Sequence, residues 1–149
     1  SQTKKQLLIF SGNLSWINLK NKEFNLFQSL EKLVRNNISI KIICRVEFAS
    51  LANINKVLEL NFKYGKELIE IRHRQQPLRA FIFDNKIASI KEVNEPTGKI
   101  NELNQRIFIF YRIKNKEWVE WLSKIFWNLF SKSIDANQRI KQMERIVYK

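Results

Sequence analysis

The side chains of this sequence that are most suited to chemistry are basic, and they lie near its middle. The segment 72–76 holds His73 between two arginines, and Arg79 follows it closely. A guanidinium group binds phosphate or sulfate through parallel hydrogen bonds, so these side chains suit an anionic ligand. His73 is the only histidine, which excludes a histidine pair and a metal site built on two histidines. The sequence therefore predicts anion binding without a metal.

The spacing of the polar residues in the stretch 77–94 is distinctive. Arg79 is followed after four residues by Asp84, and Asn94 comes after nine more. This stretch resembles the signature of the phospholipase D superfamily, which is His-x-Lys, four residues, Asp, six residues and Gly-Ser-x-Asn. Asp84 and Asn94 match the signature, Arg79 stands at its lysine, and Pro77 stands at its histidine.

The resemblance implies a fold more strongly than it implies a reaction. The implied fold is α/β, a phospholipase D-like single half with a mixed, mostly parallel sheet flanked by helices, plus C-terminal helices. In the superfamily the histidine is the nucleophile and the lysine and asparagine hold phosphate oxygens, so Arg79 and Asn94 become anion contacts here. Proline carries no nucleophile, so Pro77 argues against catalysis. Asp84 has no histidine to orient, and we interpret it as the first residue of a hairpin turn.

His73 is the one side chain that could replace the missing nucleophile. It lies four residues before the position of Pro77, so the segment 72–76 would have to fold back. Neighbouring arginines would lower its pKa and favour neutral imidazole. We expect His73 to be a solvated or ligand-contacting loop residue, and a metal-independent phosphodiesterase or nuclease that uses it is kept as an alternative function.

The order of strand, helix and strand at the start of the chain indicates a parallel βαβ unit. Strands are predicted at 6–10, 38–44, 68–71, 79–83, 87–91 and 107–113. Helices are predicted from Phe24 to the stop at Asn36, from Ser50 to about Phe62, at 116–130 and at 136–147. A tight hairpin turn is predicted at 84–86, where Asn85 tolerates positive φ. Residues 94–104 should form an exposed connection.

Ligand sites of parallel sheets gather where the strands end at their carboxyl side. The predicted ends carry Ser11, Asn13 and Ser15 after the first strand, Arg45 after the second, and Arg72, His73 and Arg74 after the third. Together with Arg79 they form a predicted rim for a phosphorylated or otherwise anionic ligand. A solvated basic edge is the alternative interpretation. Cys44, on an apolar strand, is predicted to be a buried small hydrophobic residue.

The predicted helix 116–130 is apolar around much of its circumference, which favours packing on more than one neighbour. Superfamily enzymes need two copies of the signature and this chain carries one, so the resemblance implies a homodimer. Three tryptophans of the helix are candidate interface residues, Trp118, Trp121 and Trp127. The alternative is that the apolar stripe only covers the sheet.

Length and composition fit one domain, 1–149, since 44% of the 149 residues are apolar. No apolar run is long enough to span a membrane, no signal peptide is recognisable, and a lone cysteine is consistent with the cytoplasm. The net charge of +13 favours nucleic-acid contact, because Lys and Arg release counterions from phosphates. An amino-acid composition rich in Lys, Asn, Ile and Phe is also typical of AT-rich genomes, so codon bias is an alternative explanation for the excess of lysine.

The degenerate signature, followed by a strand and an aromatic helix, resembles the C-terminal domain of archaeal TrmB-like transcription regulators. In that group a winged helix and a coiled coil precede a domain that senses ligands or mediates association. The chain starts at Ser1 and its only methionine is Met143, which suggests a domain excised from a longer protein. The resemblance implies a non-catalytic effector-binding and dimerisation domain that needs no cofactor. A basic module that binds nucleic acid directly is the alternative.

Overall fold

The fold is built on one seven-stranded sheet, seen in a computed structural model that describes residues 5–18, 25–94, 96, 98 and 107–147. The strands are β1 (Gln6–Phe10), β2 (Ser39–Cys44), β3 (Ile69–His73), β4 (Ala80–Phe83), β5 (Ile87–Asn94), β6 (Ile107–Ile113) and β7 (Ile134–Asp135). The helices are α1 (Leu26–Arg35), α2 (Leu51–Tyr64), α3 (Lys116–Ser131) and α4 (Ala136–Val147). The predicted helix start at Phe24 and most of the predicted connection 94–104 lie outside the described residues.

The strands are arranged in the order β6-β5-β4-β1-β2-β3-β7. β1 pairs in parallel with β2, and β2 with β3, whereas the remaining pairings are antiparallel. The prediction of a mixed α/β sheet flanked by helices is confirmed. The prediction that the sheet is mostly parallel is wrong, because β4, β5 and β6 extend one side of β1 as an antiparallel meander and β7 adds an antiparallel edge.

Side chains of β1 point alternately into two cores, one on each face of the sheet. Leu7 and Ile9 belong to the core that packs against α1, α2 and α4. Leu8 and Phe10 belong to the core under α3, where the rings of Phe10 and Phe126 meet edge to face with centroids 5.2 Å apart. A strand buried on both faces needs an uninterrupted apolar sequence, which explains the composition of β1.

The hairpin between β4 and β5 turns as the sequence predicted. Asp84 and Asn85 both have positive φ, at 51° and 56°, and the Lys86 N–H donates to the Phe83 carbonyl at 2.9 Å. Two such residues in succession give the type I′ turn that matches the twist of paired strands. The side-chain oxygen of Asn85 also accepts a hydrogen bond from the Ser123 hydroxyl at 2.6 Å, which anchors the turn to α3.

Several elements are longer than predicted. β3 continues to His73, because β7 pairs with Arg72 and His73 on its outer side. β5 continues to Asn94, and α2 continues to Tyr64 before Gly65 ends it in the left-handed conformation. In the described part of the chain, no helix combines the length and the apolar character of a membrane span.

The outer side of β3 is closed by a side chain near its start. The Asn61 amide donates to the Ile69 carbonyl at 2.9 Å and its oxygen accepts the Ile69 N–H at 3.0 Å. These are the two bonds that a neighbouring strand would make with one residue. α2 therefore supplies, through one amide, the pairing that β7 is too short to provide.

Candidate anion-binding site

Two arginines lie within electrostatic reach of each other beyond the carboxyl ends of β1 and β2. Arg45 follows β2, and its N–H donates to the carbonyl of Gly12 at 2.7 Å. Arg79 packs on the same glycine, so that a Cβ on Gly12 would lie 2.7 Å from Nη2 of Arg79. Burial lowers the pKa of Arg79, and the positive charge of Arg45 lowers it further. The chain thus holds two mutually repelling cations at the end of the sheet where ligands of parallel sheets bind.

The side chain of Arg79 is fixed by the loop that precedes β4. Its Nη1 donates to the carbonyls of Gln76 and Leu78, at 2.9 and 2.8 Å. Gln76 is buried, and its amide bonds both Leu78 and the Ser11 carbonyl, the latter at 3.1 Å. Gln76 thereby joins the loop to the end of β1. No local sequence pattern predicts this role of Gln76, because it depends on a contact between segments 65 residues apart.

Arg45 has a donor that no residue in the described part of the chain satisfies. Its Nε is buried and has no hydrogen-bond partner among the residues that the structure describes. A buried donor without an acceptor costs about 1 to 3 kcal/mol, and a charged one costs more. An anion that reached this nitrogen would remove that cost and would also screen the repulsion between Arg45 and Arg79.

The lone histidine lies in β3 and not in a loop, which corrects the prediction from sequence. Its Nδ1 accepts a hydrogen bond from the Val46 N–H at 2.9 Å. The neutral ring that makes this bond carries its proton on Nε2. Burial lowers the pKa of His73, the charge of Arg139 lowers it further, and Glu47 acts in the opposite direction. The ring faces α4 and the connection after β2, and it has not folded back towards Pro77.

The two arginines beside His73 are engaged elsewhere. Arg72 lies on the α3 face, where it contacts Glu70 at 2.9 Å and donates to the Phe130 carbonyl at 2.7 Å. Its guanidinium also stacks over the Phe130 ring, 4.1 Å from the centroid. Arg74 donates to the Ser133 hydroxyl at 3.3 Å. The predicted basic rim is therefore divided, because the side chains of an extended strand alternate between its faces.

The small polar residues after β1 shape their own loop. The hydroxyl oxygen of buried Ser11 accepts hydrogen bonds from the Trp16 indole at 3.1 Å and from the Leu14 N–H at 3.3 Å. The side chain of Asn13 accepts the Ser15 N–H at 3.0 Å. This loop presents Gly12 to the arginines, while its polar side chains are occupied with backbone and indole groups.

The remaining signature positions divide between the two ends of the sheet. Asp84 bonds the start of β1, whereas Arg79 and Arg45 lie beyond the end of that strand. Pro77 is exposed in the loop before β4. β5 ends at Asn94, at the same end of the sheet as Arg79. There the Lys91 N–H donates to the Arg79 carbonyl at 2.8 Å. The side chain of Asn94 lies outside the described part of the structure.

The three candidate interface tryptophans form two surfaces. Trp118 and Trp121 are exposed by 55% and 54%, and their rings meet edge to face at 5.5 Å. Trp127 is exposed by 39% and contacts Phe126 and Phe130. On a helix of about 3.6 residues per turn, the first two lie on one side of the buried stripe of α3, and Trp127 lies on the other.

Metal and thiol chemistry find no support in the described residues. No group of three or more His, Cys, Asp or Glu side chains is placed to hold a metal ion in the part of the chain that the structure covers. Cys44 is buried, and burial raises the pKa of its thiol to about 12. The prediction that Cys44 is a buried hydrophobic residue is confirmed.

Comparison with known proteins identifies the fold. No family model and no curated protein matches the sequence. The structure is similar to a phospholipase D family member, Nuc from Salmonella typhimurium, with a TM-score of 0.60 and 12% identity over 89% of this chain and 82% of that chain. It is also similar to NucT from Helicobacter pylori, with a TM-score of 0.57 and 10% identity over 87% and 81% of the two chains. The phospholipase D-like fold is therefore confirmed, and at this identity the likeness concerns the fold alone.

Proposed function

With a phospholipase D-like fold as the premise, we propose that this chain is a non-catalytic domain that binds an anionic effector between Arg45 and Arg79. We further propose that it acts as the effector-binding and dimerisation domain of a cytoplasmic transcription regulator of the TrmB-like kind. The observation that carries the proposal is the buried Nε of Arg45, which has no hydrogen-bond partner among the described residues and lies near a second guanidinium. The ligand class is a phosphate, a sulfate or a phosphorylated sugar, since guanidinium groups fit such oxygens.

Two features support binding without catalysis. Pro77 stands where the signature has its nucleophile, and its ring offers neither a lone pair nor a proton for acid–base work. His73 engages its Nδ1 lone pair with Val46, so its Nε2 bears the proton. Neither nitrogen can attack phosphorus until that hydrogen bond breaks. A phosphodiesterase or nuclease that uses His73 is the least supported function, and its required result is metal-independent phosphodiester cleavage that His73→Ala abolishes.

Calorimetric titration with sulfate, inorganic phosphate and sugar phosphates tests the anion site. We expect Arg79→Ala and Arg45→Ala each to weaken binding roughly 10- to 100-fold, the range for a hydrogen bond to a charged group. Arg72→Ala is the matched control, because it removes the same charge on the α3 face. Equal weakening by all three variants would point to unspecific attraction, and binding that ignores Arg79 would remove the site.

The dimer is a separate part of the proposal. Trp118 and Trp121 form an exposed aromatic pair beside Glu117, at a surface pocket of about 290 Å³, and exposed aromatic pairs are typical of interfaces. Sedimentation velocity should show a dimer that dissociates when both are changed to serine. Trp127→Ser should leave it intact. A monomeric wild type, or dissociation only in Trp127→Ser, would reject this surface.

Direct nucleic-acid binding is the second candidate, and the net charge of +13 favours it. Phosphate contacts release counterions, so the affinity for DNA or RNA should fall steeply with added salt. Fluorescence anisotropy with a labelled duplex and a labelled single strand, measured at several salt concentrations, tests this. Undetectable or salt-independent binding by the isolated domain excludes it without affecting the anion site.

A further inference from the structure

In the connection after β2, the backbone polar groups of Arg45 and Val46 are all hydrogen-bonded. The N–H and the carbonyl of Arg45, and those of Val46, each have a partner from a different segment of the chain. These partners are the Gly12 carbonyl at 2.7 Å, the Ser50 hydroxyl at 2.7 Å, His73 Nδ1 at 2.9 Å and Arg139 Nε at 3.3 Å. The last two come from β3 and α4, on the side of the connection away from β1.

We propose that His73 and Arg139 are positioning residues for the anion site, which clamp the Val46 peptide so that Arg45 stays aimed at the ligand, and that protonation of His73 releases the clamp. This inference rests on the proposed function, because it concerns the orientation of Arg45 towards an anion. Neither residue needs to touch the ligand.

The need for such a clamp follows from the state of the Arg45 side chain. A guanidinium whose Nε has no partner in the described structure is not directed by its own hydrogen bond at that nitrogen. Its direction then depends on the packing around it and on the backbone that bears it. Val46 is the next residue, and His73 and Arg139 hold the two sides of its backbone, the N–H and the carbonyl. Loosening either bond lets the connection shift and carries the guanidinium away from Arg79.

Protonation acts on one of these bonds directly. An imidazolium has two N–H donors and no acceptor, so the Val46 N–H loses its partner and faces a second donor. The charged groups that act on the ring are Arg139 from α4 and Glu47 from the connection itself. In the sheet, His73 pairs with Cys44 of β2 on one side and with Ile134 of β7 on the other. Neither neighbour brings a charge, because the buried Cys44 thiol is neutral and Ile134 is apolar. Arg139 opposes protonation and Glu47 assists it.

Calorimetric titration with sulfate between about pH 8 and about pH 5 tests the inference, because sulfate keeps its charge over the range in which histidine titrates. We expect the wild-type affinity to fall roughly two- to tenfold on acidification, the loss that corresponds to one hydrogen bond. A purely electrostatic role of His73 predicts the reverse, since an added positive charge would strengthen sulfate binding. Affinity that rises or stays constant on acidification would therefore overturn the inference.

Substitutions separate the clamp from general effects on folding. His73→Gln offers an oxygen to the Val46 N–H, and it should bind sulfate at neutral pH like the wild type but without the acid step. His73→Phe removes the acceptor and should bind weakly at every pH. Arg139→Ala should weaken binding, whereas Arg145→Ala removes the same charge from an exposed position on α4 and should not. Circular dichroism shows whether each variant folds.

The outcomes distinguish the two levels of the proposal. If wild type binds sulfate and Arg79→Ala does not, but His73→Phe binds normally, the clamp is wrong and the anion site stands. If wild type binds none of the anions offered, the proposed function itself fails. If His73→Phe does not fold, the role of His73 is tested by two other results. Sulfate affinity should fall on acidification in wild type, and it should not fall in His73→Gln.

Discussion

Asp84 and Gln6 exchange two hydrogen bonds across the start of the sheet. The Asp84 N–H donates to the Gln6 carbonyl at 3.0 Å, and the Gln6 N–H donates to the Asp84 carboxylate at 2.6 Å. The carboxylate thus satisfies the first N–H of β1 while its backbone begins the type I′ turn. This aspartate matches the phospholipase D signature, and in this chain its observed contacts are structural.

Asp84→Ala should destabilise the protein by about 2 kcal/mol, because it leaves the Gln6 N–H without an acceptor and places alanine at positive φ. Asp84→Asn keeps a side-chain oxygen and tolerates that φ, so it should lose less than about 1 kcal/mol. Urea unfolding measures both values. Equal stability of the two variants would contradict the role assigned to the carboxylate.

Gly12→Ala should weaken sulfate binding, and because Gly12 is buried it should also destabilise the protein by about 1 to 3 kcal/mol. The new methyl group would lie 2.7 Å from Nη2 and 3.0 Å from Cζ of Arg79, so the guanidinium must move. Gly65→Ala is the control, because Gly65 has φ of 59° and no heavy atom of the described structure lies within 4 Å of where its Cβ would be. It should cost about 1 kcal/mol of stability and leave binding unchanged. Titration and urea unfolding of the two variants show whether binding is lost through the contact with Arg79 or through reduced stability.

His73 should make the free energy of unfolding fall on acidification. Its folded pKa lies below the ordinary 6.5, so the unfolded chain binds the proton first. The stabilising contribution is fully present above pH 6.5, the unfolded value, and it is lost as the pH falls from there through the lowered folded pKa. Urea unfolding at several pH values should show a smaller loss in His73→Gln than in wild type. Parallel pH profiles of the two proteins would be the contrary result.

Cys44 should resist thiol reagents in the folded protein at neutral pH. Reaction needs the thiolate, and a pKa of about 12 combined with burial leaves almost none of it accessible. Colorimetric thiol titration should detect one reactive group only after a denaturant is added. Labelling of the native chain at the rate of a free thiol would show that β2 opens readily.

The sequence predicted those features that local physical chemistry determines. β1, β6 and α4 have the predicted bounds, and the turn at Asp84 and Asn85 was recognisable from the turn chemistry of those residue types. The end of β3 was missed because β7 has two residues, too few for a periodic pattern. With β3 ended early, Arg72 was predicted to lie in the rim, whereas in the strand it alternates onto the α3 face.

The candidate site was predictable only in part. Arg79 and Arg45 were expected near the strand ends, because the position after a buried strand can be read from hydrophobicity. The contributions of Gln76, Ser50 and Arg139 depend on contacts between distant segments. Their residue types are common on protein surfaces, so no local pattern separates them from solvated residues.

The Asn61 amide has a consequence for how this protein meets other chains. Exposed strand edges are where foreign strands attach, and such attachment begins domain swapping and fibril growth. A strand approaching β3 would have to displace both bonds of Asn61 at Ile69 and would then collide with β7. The Asn61 side chain on α2 therefore hinders the addition of a foreign strand to β3 and the polymerisation that would follow.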